Sequence, residues 1–255
     1  MSRSKKIAFI IFIYSMPKLA LAEPKGFEIS DFPYTDRNLI ESVGMILHSS
    51  AIEGANSHGQ IGGSLGVGLR QPRFPEHSTN LDSDPGTTAV QLHVVKGLDA
   101  PIDFGFSFSN VQGTSGTALT GYLQWTIFED FRLPSAALRV GYGSTFGYEF
   151  MDVGSSSADM LVSYEIVQFL GIYAGVGMSM TRANYDLEKS TSGLSLARTS
   201  GKLVNTESGY SIWQSRQHSF GISIRPLPPF FSINGEVTRN DRGIESISAK
   251  LAIGM

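Results

Sequence analysis

The sequence predicts an all-β fold: an antiparallel transmembrane β-barrel of about ten strands, preceded by a short N-terminal helix. Three observations predict it. Apolar and polar residues alternate with period two over one segment after another, as they must on a strand with two unlike faces. The polar members are mostly Gly and Ser, whereas a sheet face in water would carry more Lys and Glu. Connections alternate in length: Gly97–Ala100, Phe128–Pro134, Val167–Gly171 and Arg225–Pro229 are tight, while Gln71–Pro85, Thr145–Ser157 and Arg182–Ser211 are long. Short turns on one side and long loops on the other mark a barrel that crosses a membrane.

The chain opens with three parts of a secretory signal. Arg3, Lys5 and Lys6 form a basic region, Ile7 to Tyr14 an apolar run, and Ala20-Leu21-Ala22 a small-x-small cleavage site. The apolar run is shorter than the roughly 20 residues a spanning helix needs. Residues 1–22 therefore read as a signal peptide and Glu23 as the start of the mature chain. Four of the 20 basic residues leave with the signal and none of the 23 acidic ones does, so the mature charge is near −7. Nucleic acid is excluded as a partner, because phosphate binding needs a basic face. The absence of cysteine excludes a disulfide framework and a lipid-anchored N-terminus.

Residues 23–58 precede the barrel. Leu39, Val43, Ile46 and Leu47 recur at helical spacing, with Ile40 widening the stripe, so a helix is expected from Leu39 to Ser50 with Asp36 as its cap. Such a helix can lie in the lumen as a plug, cover the periplasmic mouth, or rest on the membrane surface. The glycines on one face of the first strand invite close approach of another backbone.

Residues 59–255 carry the strands. Ile61, Leu65, Val67 and Leu69 oppose Gly62, Ser64, Gly66 and Gly68. Ile102, Phe104, Phe106 and Phe108 oppose Asp103, Gly105, Ser107 and Ser109. Leu138, Val140 and Tyr142 oppose Arg139, Gly141 and Gly143; Met160, Val162, Tyr164 and Ile166 oppose Asp159, Ser163 and Glu165, with Leu161 out of pattern. The alternation continues through 172–181, 219–225 and 231–238, and weaker segments lie around Val90–Val94 and Leu119–Ile127. Aromatic residues collect at segment ends, Phe128, Phe131, Phe169, Phe230 and Phe231 by the tight turns, and Tyr142, Phe146, Tyr148, Phe150 and Trp213 by the long loops. That placement suits the aromatic girdles of a membrane interface.

In the last segment Ile247, Ala249, Leu251, Ile253 and Met255 alternate with Ser246, Ser248, Lys250, Ala252 and Gly254 up to the final residue. This resembles the C-terminal signal of bacterial outer-membrane β-barrel proteins, with Met255 where an aromatic residue is usual. The resemblance implies an outer-membrane location, a monomer surrounded by membrane lipids and lipopolysaccharide, and insertion by the barrel-assembly machinery. A helix ahead of a barrel is also similar in placement to the plug of outer-membrane fatty-acid transporters.

The polar face carries His93, Asp103, Arg139, Asp159, Glu165, Arg225, Glu236 and Lys250, which are the candidate lumen-lining residues. Opposite charges in a narrow barrel are expected to pair across it. Of the five histidines, His93 is the best catalytic candidate, with Asp103 across a hairpin and Ser107 on the same face. His218 and Ser219 are adjacent on a strand and point apart. Asn80, Asp82 and Asp84 hint at a calcium loop, but Pro85 and Gln91 occupy its glycine and glutamate positions. No cofactor and no catalytic set is expected. The leading reading is a non-enzymatic barrel that passes or binds small or lipidic molecules through a narrow or plugged lumen. The alternatives are a closed structural or adhesive barrel acting through Arg182–Ser211, and a lipid-modifying enzyme.

Overall fold

The computed structural model describes residues 34–48, 52–73, 88–111, 116–130, 133–148, 151–185, 209–228 and 230–254. Residues 1–33, which include the expected signal peptide, residues 74–87 with Asn80, Asp82 and Asp84, and residues 186–208 lie outside them. Helix α1, Tyr34–Leu47, precedes ten strands: β1 Gly63–Arg73, β2 Ala89–Gly97, β3 Ile102–Val111, β4 Thr117–Phe128, β5 Ser135–Phe146, β6 Met151–Val167, β7 Leu170–Tyr185, β8 Gly209–Leu227, β9 Phe231–Asn240 and β10 Glu245–Gly254. Each strand pairs antiparallel with the next, and β1 pairs with β10 from Ser64↔Gly254 to Arg73↔Glu245. Closure follows from the solvent. Hydrocarbon offers no partner to an unpaired N–H or C=O, so a sheet can cross it only without edges.

The period-two pattern sorts the faces. On β3, Phe106 and Phe108 turn outward with 43% and 51% of their surface exposed, whereas Asp103, Ser107 and Ser109 are buried. The same division holds on β4, where Leu119, Leu123, Trp125 and Ile127 face out and Thr120, Tyr122, Gln124 and Thr126 face in. An apolar belt so continuous has its place only in lipid. No helix among the described residues is long and apolar enough to cross a membrane; the strands cross it. Phe128, Phe169 and Phe230 are exposed at one end of the belt, and Tyr142 and Phe146 at the other. The ladder slips at Thr126/Phe128, Glu165/Val167 and Ile224/Leu227, all near the tight-turn end. Bulges there let long strands bend into tight turns.

Inward glycines make room for inward aromatics. A Cβ added at Gly105 would lie 2.1 Å from the Tyr122 ring, and one at Gly221 would lie 2.1 Å from the Tyr173 ring. Each tyrosine is paired directly across from its glycine. The ring covers the bare backbone that the glycine leaves.

Three expectations need correction. Thr145–Ser157 is not a long loop: β5 runs to Phe146 and β6 starts at Met151. Asp152–Ser157 reads as a loop by composition, but its ladder is complete against β7, from Met151↔Tyr185 to Ser157↔Ser179. The outward side chains there include Asp152, Gly154 and Ser156, so this extension of β6, β7 and β8 stands beyond the apolar belt and needs no lipid-facing alternation. The helix spans Tyr34–Leu47 rather than Leu39–Ser50, which puts Asp36 inside it instead of at its cap. Close approach of the segment's backbone to the glycine face of the first strand occurs at Gly62, where a Cβ would lie 2.1 Å from the His58 carbonyl oxygen, but not at Gly66 or Gly68. Lys250 lies over Gly66 and His93 over Gly68, with would-be Cβ contacts of 3.2 Å to each.

Phe106 sits at the middle of β3, facing lipid. Phe106→Arg should cost about 2–4 kcal/mol of barrel stability, and Phe106→Leu much less. Urea unfolding in lipid vesicles reads the difference; equal stability of the two variants would mean that Phe106 does not contact hydrocarbon.

Candidate functional site

The lumen is occupied by the chain's own N-terminal segment. In α1, Val43, Met45, Ile46 and Leu47 are buried, and so are Ile52 and Ala55 beyond it. Ile46 packs on Ala89 and Val111 of the wall, and Ala55 on Ala137 and Leu161. Leu161, which broke the alternation of its segment, is thus an inward apolar residue that meets the plug. Gly143 admits the end of the helix: a Cβ there would come within 3.0 Å of the Leu47 carbonyl oxygen. A wall of small residues leaves space, and apolar side chains of the segment fill it.

Polar latches fix the segment at successive depths. At the long-loop end, Arg242 in the turn between β9 and β10 donates to Glu41 at 2.6 Å. Below it, Arg70 on β1 donates through Nη1 to the carbonyls of Met45, Ile46 and His48 at 3.2, 3.3 and 2.9 Å. These are carbonyls that the helix leaves unpaired at its C-terminus, where a cation also meets the negative end of the helix dipole. The Arg70 Nε donates to Ser248 on β10. His48 approaches Asp159 at 3.3 Å.

Midway, Glu53 accepts from Lys250 of β10 and from Ser64 of β1. Arg139 donates to Gln124 and to the Glu53 carbonyl, and its guanidinium stands 5.2 Å from the centre of the Tyr122 ring. Lower still, the Ala55 N–H donates to Ser163, and Asn56 donates to Glu165. At the tight-turn mouth the backbone N–H of His58 donates to Asp103, its Nδ1 lies 3.1 Å from the same carboxylate, and the Ser57 hydroxyl donates to it. Beside this latch, a cavity of about 500 Å³ is lined by Glu53, Asn56, His58, Glu129, Glu165 and Arg225, among others.

Of the eight lumen-lining candidates, His93, Asp103, Arg139, Asp159, Glu236 and Lys250 are buried inside the barrel. Glu165 and Arg225 form an ion pair near the tight-turn mouth, each with a third of its side chain exposed. That pair meets wall to wall. Asp103, Arg139, Asp159 and Lys250 instead answer groups of the N-terminal segment. Glu236 accepts from Thr238 on its own strand. Pairing of opposite charges across a narrow barrel is the sequence expectation; for Asp103, Arg139, Asp159 and Lys250 the segment lies in the intervening space and supplies partners. His93 and Asp103 do not meet. The register sets His93 opposite Ser107 and Asp103 opposite Gly97, and the Asp103 carboxylate is taken by Ser57 and His58. His93 Nε2 has no hydrogen-bond partner among the described residues.

Sequence reasoning passed over Arg70, although it continues the Gly66–Gly68 face of β1 at the next inward position. It also passed over Glu53 and His58, whose roles depend on contacts made across 197 and 45 residues of chain. Among the described residues no group of His, Asp and Glu is arranged to hold a metal ion.

A closed barrel with an apolar outer belt, aromatic ends and a polar interior is a transmembrane β-barrel of the outer-membrane type. Solved structures to which this chain is similar include the KdgM porin in complex with disordered oligogalacturonate, at 6% identity and a TM-score of 0.38 over 74% of this chain and 98% of that one. Others are the N-terminal β-barrel domain of Pseudomonas aeruginosa OprF, at 8% identity and 0.35 over 75% and 97%, and Ail, the attachment invasion locus protein of Yersinia pestis, at 16% identity and 0.33 over 76% and 97%. These likenesses carry over nothing of what those proteins bind. No described protein family matches the sequence, and no curated protein matches it.

Two outcomes test the latches. Lys250 is fully buried, so Lys250→Met should strand the Glu53 charge and cost about 3–5 kcal/mol, whereas the double change Lys250→Met with Glu53→Leu should recover most of the loss. Equal stability of the single and double variants in urea unfolding would show that the pair is not coupled. The second outcome concerns pH. Burial opposes protonation of His58, but the hydrogen bond to Asp103 and the charges of Glu53 and Asp103 outweigh it and raise the ring above its usual 6.5. The latch is then complete below 6.5 and is lost as pH rises through the raised value. Protease clipping between residues 48 and 62 should increase across that interval, and the increase should vanish in His58→Gln.

Proposed function

We propose that this chain is a non-enzymatic, gated outer-membrane conduit for small polar solutes, whose gate is the segment from Glu41 to His58. One observation carries the reading: Arg70, Arg139, Lys250, Asp103 and Asp159 of the wall all meet groups of the segment, whereas Glu165 and Arg225 pair with each other near the tight-turn mouth. With the segment withdrawn, Arg70, Arg139, Lys250, Asp103 and Asp159 would line a passage whose other inward residues are largely Ser, Thr, Gly and Gln, with His93, Asn234, Glu236, Tyr122, Tyr173 and Leu161 among them. A barrel meant to remain shut could have a dry interior, because an apolar core is at least as stable as buried ion pairs. A polar lining suits water-soluble cargo. It does not suit an acyl chain, so the lumen favours polar solutes over lipids.

The side-chain order also argues against catalysis. Nucleophilic chemistry needs a hydroxyl directed at a base. The Ser57 hydroxyl points to Asp103, and His58 Nε2 faces Glu53 at 3.8 Å.

The test is a reversible lock on the full chain, which has no cysteine of its own. A Cβ at Gly54 would lie 3.0 Å from the Ser163 Cβ, and a small shift brings the two into disulfide range. In planar bilayers Gly54→Cys with Ser163→Cys should be silent when oxidised and should show discrete openings when reduced, as the unaltered chain should. Silence of the folded, inserted, unaltered chain would overturn the conduit and favour a closed barrel acting through its long loops. Openings that persist under oxidation would overturn the assignment of the gate.

A further inference from the structure

The order of the latches along the lumen gives the segment a direction. Its outermost described contact is Glu41 with Arg242, in the turn between β9 and β10. Gly44 comes next, against Thr181 near the far end of β7. Met45 to His48 lie at Arg70, which pairs with Ala89, the first residue of β2. Glu53 is at Lys250, Ala55 at Ser163, and His58 at Asp103, the second residue of β3. Every step toward β1 is a step toward the tight-turn mouth.

At that mouth the chain reverses and becomes a strand. Gly59 adopts φ +66°, a conformation that suits glycine, and a Cβ on Gly97 would strike its carbonyl oxygen at 2.0 Å. Lys96 Nζ donates to the carbonyls of Gln60, Ile61 and Gly62 at 3.2, 3.1 and 3.4 Å, and the Gly97 N–H donates to the Gly62 carbonyl. The elbow is therefore built, and the segment enters it from inside the barrel. The opposite end of the segment, where α1 begins, must leave at the face that carries the long loops.

We propose that the chain is threaded outward through its own barrel, so that the residues ahead of α1 are displayed on the cell surface, on the same side as the 186–208 connection. In outer-membrane barrels the long loops face outside and the tight turns face the periplasm. A segment that merely capped the periplasmic mouth would touch Asp103 and Lys96 but could not also reach Arg70 and Arg242. By sequence, residues 23–33 ahead of α1 carry Glu23, Glu28 and Asp31 against Lys25, together with Phe27, Ile29 and Phe32. The direction of threading stands whether or not the gate opens, so it survives failure of the conduit reading.

Single-cysteine labelling in cells tests it, since the chain offers no competing thiol. Ser30→Cys reports the segment ahead of α1, Ser200→Cys the long-loop face, and Asp99→Cys the tight-turn face between β2 and β3. A bulky, membrane-impermeant maleimide applied to intact cells should label Ser30→Cys to the same extent as Ser200→Cys, and Asp99→Cys only after the outer membrane is permeabilised. Lys25→Cys should repeat the Ser30→Cys result, which guards against one variant that fails to assemble. Labelling of both N-terminal reporters only together with Asp99→Cys would overturn the proposal, because the segment would then start in the periplasm.

Discussion

The constraint on which the rest depends is the mismatch between the width of this barrel and the size of the side chains on its inner wall. Eight strands leave an interior that wall residues alone can fill, and diameter grows with strand number. Here ten strands close, and much of the inner face is Gly, Ser and Thr. Tyr122, Tyr173 and Leu161 fill part of the space, but they cannot reach across it. What remains must hold water or protein. The chain supplies protein: α1 and the strand-free stretch after it, with Val43, Ile46, Leu47 and Ile52 as the filling.

From that follows the arrangement of charge. A charged group facing a narrow interior is costly unless it is paired and hydrogen-bonded. In a lumen without a plug the wall charges would have to find one another. With the plug in place, Arg70 neutralises the unpaired carbonyls of a helix C-terminus, Lys250 meets Glu53, and Asp103 gathers one backbone and two side-chain groups from residues 57 and 58. These interactions have a further property that apolar packing lacks, because each is specific to one depth. Ile46 would pack acceptably after a slide of one helical turn, but Arg70 would lose its carbonyls. Register in the lumen is therefore set by polar contacts and filling by apolar ones.

Much of the barrel was legible in the sequence because period-two alternation is local. Ile102 to Ser109 reveals its two faces without reference to any other strand, and ten such segments recover ten strands. The errors lie where the environment, not the local pattern, decides. Asp152–Ser157 is strand although it lacks lipid-facing residues, because its ladder continues past the membrane. The His93–Asp103 contact failed by register: counting back from the turn places Asp103 opposite Gly97, four residues from His93. Of the site, the inward residues were readable by parity, but their partners were not. Nothing local links Glu53 to Lys250, since the two are brought together only when the last strand closes on the first.

That closure also changes what the plug is. Glu53 accepts from Ser64 on β1 and from Lys250 on β10, and Arg70 on β1 donates both to Ser248 on β10 and to the helix. The segment thus joins the two strands whose pairing completes the barrel, in addition to filling the space behind them. A plug added after closure would have to be drawn through the lumen past a series of specific latches. A plug already lying along β1 when β10 arrives would instead meet its partners as the seam forms, with Glu53 offering one carboxylate to both edges. For the same reason a truncation that removes Glu41 to His58 would take away the filling and the bridge across the seam together, and an open channel in such a variant would not separate gating from loss of closure. The reversible cysteine lock leaves both in place and asks only whether the segment must move.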